Sequence, residues 1–210
     1  AQLIDLAGTA SHSAEDLKKE WYKLGTNFTF GAGDSESSFS IDGLDENFEK
    51  SLALLMDVVN DPSADQQTLD QLKQIILERR DDAKKDPATI SAAVVQFHRY
   101  DKDSSFLRMM PAKQVKGLTT DELFGATKGL LKHKHAVLYV GSMPRDKAIE
   151  SIRKYYPVGA PLKDAPPYRS KKMQNPAQTE IFFFDKETAQ SQVQIDFPGE
   201  IYNEARMPAS

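Results

Sequence analysis

Ala1-Gln-Leu-Ile-Asp-Leu-Ala-Gly8-Thr9, followed by Ser13-Ala-Glu-Asp-Leu-Lys-Lys-Glu-Trp-Tyr-Lys-Leu-Gly25, is the stretch from which the fold is read. Its first part has the pattern of a helix tail, and Gly8-Thr9 breaks it. Ser13 then suits an N-cap, and Asp16 three residues on completes a capping-box pattern. Leu17, Trp21 and Leu24 recur at helical spacing along one apolar face. Gly25 suits the left-handed position just past a helix end. The segment therefore predicts a helix tail, a break, and a second amphipathic helix with both ends marked.

Outward from there, Phe28 and Phe30 alternate with polar residues, as do Phe39 and Ile41, with Gly31-Ala-Gly33-Asp34-Ser35 between them. That is a β-hairpin pattern. Asp45 is the expected N-cap of a helix carrying Phe48, Leu52, Leu55 and Val59, which Asn60-Asp61-Pro62 ends. Asp65 opens a longer helix through Leu69, Leu72 and Ile76 to about Ala83, and Pro87 marks the next boundary. Ile90, Val94 and Phe97 form a further stripe, and a loop contains Pro111. Thr119 and Glu122 form a second capping box ahead of Leu123, Thr127, Leu130 and Leu131. Ala136-Val-Leu-Tyr-Val140, bounded by Gly141, reads as a buried strand. Pro144 suits a first helical turn, and Ala148, Ile149, Ile152 and Tyr156 continue that helix until Pro157. This order predicts an α+β fold, a largely antiparallel sheet covered on one face by helices.

Residues 1–156 are expected to form this αβ domain. Pro157, Pro161, Pro166, Pro167 and Pro176, with the basic Arg169-Ser-Lys-Lys172, mark residues 157–178 as a linker. Glu180-Ile-Phe-Phe-Phe184 and Ser191-Gln-Val-Gln-Ile-Asp-Phe197 read as the first strands of another domain over 179–210. The 210 residues start in a helical pattern and stop in a loop, as expected of a fragment of a longer polypeptide.

Bulk properties narrow the function. A net charge of −4 exerts no general pull toward nucleic acid or anionic lipid. No apolar run approaches the roughly 20 residues of a membrane helix, and no basic region precedes an apolar core at the amino end, as a signal peptide requires. The absence of cysteine excludes disulfides, thiolate nucleophiles and Cys-type zinc sites.

Four stretches in this order resemble the pitrilysin/insulinase-type metallopeptidases. They are Gly8-Thr9 with the helix ending at Gly25, Ser38-Phe-Ser-Ile-Asp-Gly43 running on to Leu55, Asn60-Asp-Pro62, and His135-Ala-Val-Leu-Tyr-Val-Gly141. The resemblance implies a domain of the LuxS/mitochondrial-processing-peptidase type, and an inverted H-x-x-E-H zinc motif immediately before Gly-Thr in catalytic members. Here the general base would fall near Gln2 and the second histidine near Leu3, while the distant glutamate ligand would fall at Arg79, next to Glu78. Glutamine cannot take a proton at neutral pH, leucine cannot bind a metal, and arginine repels one. The resemblance thus implies the non-catalytic half of a zinc peptidase. No catalytic, cofactor or metal residue is assigned in this chain. Zinc is expected in the catalytic half, which is either fused or a partner subunit, and the two halves are expected to enclose peptide substrate. A periplasmic or secreted location is also implied. The alternative is a structural or scaffold homologue of the same fold that has lost catalysis.

Other candidates fit bland readings better. His133 and His135 would share one face of a strand, but no third ligand is adjacent. His12 lies beside an N-cap, and His98 lies at a helix end where a cation complements the dipole. Gly31-Ala-Gly33 lacks the helix start and lysine of a phosphate loop. Arg79-Arg80 and Lys84-Lys85 alternate with Asp81, Asp82 and Asp86, as on a solvated face.

Overall fold

The structure is a computed structural model that describes residues 1–156, 161–168, 170–187, 191–197 and 199. Its Cα atoms group into two units, Ala1–Leu77 with Pro111–Arg169, and Glu78–Met110 with Ser170–Ser210.

In the first unit the amino end is tighter than the expected helix tail, a single 3-10 turn over Ile4–Leu6. Strand β1 (Gly8–Thr9) pairs antiparallel with β4 (Pro62–Ser63). Helix α1 (Ala14–Lys23) starts as predicted, with the Asp16 N–H donating to Ser13 Oγ at 3.1 Å. Gly25 adopts φ +58°, the left-handed turn that stops this helix. Strands β2 (Asn27–Ala32) and β3 (Ser37–Asp42) form the expected hairpin, with Phe30 opposite Phe39 and their rings stacked 4.3 Å apart. Trp21 stacks on Phe28 at 5.7 Å, so the alternating face of β2 closes against α1.

Helix α2 (Phe48–Asn60) follows a 3-10 turn over Asp45–Asn47. Its apolar face enters a core cluster with Leu3, Ile4, Leu17, Trp21 and Leu69 through Leu54 and Val58. Leu69, on α3 (Gln66–Ala83), is 1% exposed. The Asp65 carboxylate caps α3, accepting from the Thr68 N–H at 2.6 Å. A short helix, α5 (Ala112–Gly117), occupies what the sequence reads as loop. The buried Lys73 ties α3 to it, donating to Asp70 at 2.9 Å and to the Lys116 carbonyl at 3.2 Å. Helix α6 (Thr120–Leu130) carries the predicted capping box in full. Helix α7 (Arg145–Tyr155) packs on α2.

The second unit holds the last turns of α3 and helix α4 (Pro87–Tyr100), capped by Asp86. Arg99 pairs with Asp196 at 2.7 Å, and the Phe182 ring lies against Phe97 and His98.

The architecture is α+β with antiparallel pairing, as expected, but its pairing among the described residues forms two separate two-stranded ladders and one isolated parallel bridge, His133 to Lys163. Three expected strands differ. Ala136–Val140 carries no strand pairing among the described residues, with Leu138 91% and Val140 98% exposed. Glu180–Phe184 and Ser191–Phe197 likewise carry no strand pairing, and Ile181, Phe183, Val193 and Ile195 are exposed. The physical reason is common to all three: apolar run and alternation specify a strand's faces, whereas the ladder needs a neighbour. None of the described residues offers one. The expected stop at Pro157, and Gln190 beside the last strand, lie outside the described residues.

Candidate functional site

The amino end is where the family resemblance would put zinc chemistry. The 3-10 turn places Gln2 at the surface and turns Leu3 inward, where it is 5% exposed within the apolar cluster. Ile4 and Ala7 are buried beside it. A metal ligand at position 3 would need a basic nitrogen or oxygen facing open space. The structure instead packs a branched alkyl group there. Glu78 and Arg79 are exposed on α3, in the other unit. These residues do not fit a zinc ion.

Next to the turn lies a cavity of about 290 Å³, lined by Gly8, Thr9, Ser11, His12, Ser13 and Thr68 among others. Gly8 is there by necessity: a Cβ on it would stand 2.3 Å from the His12 carbonyl oxygen and 2.8 Å from the Ala14 nitrogen. Thr9 Oγ1 accepts from the backbone N–H groups of Ser11 and His12, at 3.3 and 3.1 Å. Ser11 Oγ lies 3.0 Å from His12 Nδ1. These bonds close the loop upon itself and leave a small hydroxyl-lined hollow.

Of the three other histidines named from the sequence, His133 and His135 are occupied by local bonds. His133 Nδ1 faces the Gly129 carbonyl at 3.2 Å, and His135 Nδ1 faces the His133 carbonyl at 2.6 Å. A nitrogen facing a carbonyl oxygen carries the proton. His135 Nε2 lies 2.9 Å from the Tyr156 hydroxyl. Burial pushes the Tyr156 phenol up. His98 lies in the second unit, where its Nδ1 is buried and has no hydrogen-bond partner among the described residues, its ring against Phe182. Among the described residues no group of three or more His, Asp or Glu side chains is arranged to hold a metal ion.

The strongest polar constellations are ones the sequence reading missed. Asp45, expected as an N-cap, makes no cap bond. Its carboxylate instead accepts from the Ser142 hydroxyl, the Ser142 N–H at 2.8 Å and the Tyr139 hydroxyl at 3.1 Å. Those bonds, Ser142's hydroxyl foremost, hold Asp45 below the usual carboxylate range. One turn on, Glu49 accepts from Ser151 Oγ at 2.7 Å, Lys154 Nζ at 3.0 Å and the Tyr155 hydroxyl at 3.0 Å. Ser151 first, then Lys154 and Tyr155, bring Glu49 down to about 2. The i,i+4 spacing of the two carboxylates was visible in the sequence. Their partners, 94 to 106 residues away, were not. The two clusters clasp the Asp45–Asn47 turn and the start of α2 to residues 139–155.

No protein-family model matches the chain, and neither does any curated protein. Solved structures do. The ferredoxin protease FusC, crystallised in complex with Arabidopsis ferredoxin, superposes with a TM-score of 0.70 at 12% identity, over 82% of this chain and 19% of that one. An inactive M16 peptidase domain from Pseudomonas fluorescens gives 0.63 at 18%, over 81% of this chain and 42% of its own. The periplasmic protease PqqL from Escherichia coli gives 0.61 at 15%, over 81% and 19%. This chain thus spans between about a fifth and two-fifths of the structures it matches. At such identities the likeness establishes architecture, and the fold of this chain is the fold of the M16, pitrilysin-like, peptidase domains.

Proposed function

We propose that this chain belongs to the zinc-free half of a pitrilysin/insulinase-like metallopeptidase, where it forms part of the wall that encloses a peptide substrate. The observation that carries the reading is Leu3, sealed in the apolar core where a catalytic half needs a histidine. The likeness to an inactive M16 domain supports it. Zinc and the general base then belong to a catalytic half, in the same polypeptide or a partner subunit. The periplasm is the compartment in which such a protein would work, as the likeness to PqqL suggests. A ferredoxin complex of one neighbour supports a protein or peptide as what is enclosed.

The test is a peptide-cleavage assay on two samples, the 210-residue chain alone and the complete protein in which it occurs. The reading predicts no turnover from the chain and chelator-sensitive turnover from the complete protein. Absence of turnover from both would overturn the peptidase reading in favour of a scaffold.

A further inference from the structure

We draw no further inference here: the strongest candidate, the groove of about 490 Å³ in the second unit between α4 and Gln192 and Gln194, carries nothing because its Arg99 is already paired with Asp196 and nothing in the structure shows what covers it.

Discussion

Leu69→Ala offers a quantitative handle on the core that occupies the place of a metal site. Leu69 is 1% exposed and shares a cluster with Leu3, Leu17, Trp21, Val58 and Phe124. The substitution removes three carbons, worth about 2.4 kcal/mol at ~0.8 kcal/mol per buried carbon. An unrelaxed cavity of roughly 60 Å³ adds about 1.4 kcal/mol at ~24 cal/mol per Å³. The sum, about 4 kcal/mol, corresponds to a fall in Tm of roughly 12 °C for a chain of this size. Urea unfolding followed by tryptophan fluorescence is the assay of choice, since the chain's single tryptophan, Trp21, lies in the same cluster. Tyr22→Ala, at an exposed position, is the internal control and should change stability by less than about 0.5 kcal/mol. A loss at Leu69 below about 1.5 kcal/mol would refute the reasoning, because no sealed core leucine is that cheap to truncate.

Leu3→His, which restores one imidazole to the ligand position implied by the resemblance, should destabilise by about 2–3 kcal/mol through burial of an unpaired polar group and should bring no zinc with it; calorimetric zinc titration checks the second point and urea midpoints the first. Gly8→Ala should cost at least about 2 kcal/mol, because its Cβ meets backbone at 2.3 Å and not a movable side chain. Gly25→Ala, at φ +58°, should cost about 1 kcal/mol, a smaller shift in the same melt. Glu49 gives a pH signature. Its carboxyl lies at about 2 in the folded state, below the ordinary value of 4.5. The ionised form is therefore favoured by folding, and its contribution is complete above about pH 4.5 and is lost as pH falls toward 2. Urea midpoints of the parent should fall across that window, and those of Glu49→Gln should fall less. Parallel curves would show that the α2–α7 clasp carries no stability.

What the sequence made legible was local. Ser13 with Asp16, Thr119 with Glu122 and Gly25 act within a single turn of chain, so their residue types alone specify the outcome. The Phe28/Phe30 and Phe39/Ile41 alternation likewise fixes a hairpin whose strands are neighbours in sequence. Asp45 shows where that logic fails. Its type and position say N-cap, but Ser142 and Tyr139 arrive from far along the chain and take the carboxylate first. Helix α5 was missed because six residues are too few to display a helical period. Ala136–Val140 was read as buried because an apolar run reports what a segment can bury, and says nothing of whether a neighbour lies beside it. At the amino end the expectation that zinc finds no ligand set came from residue types placed by the family resemblance. That Leu3 anchors the core was visible only in three dimensions.

The most direct measurement is metal content together with peptide turnover of the purified 210-residue chain after dialysis against zinc. Leu3 and Arg79 stand where nitrogen and carboxylate ligands would be required, and Gln2 where the general base would be, so zinc should remain far below one equivalent and no chelator-sensitive cleavage should appear. One tightly held zinc per chain, lost on substitution at the amino end and accompanied by peptide hydrolysis, would contradict the account.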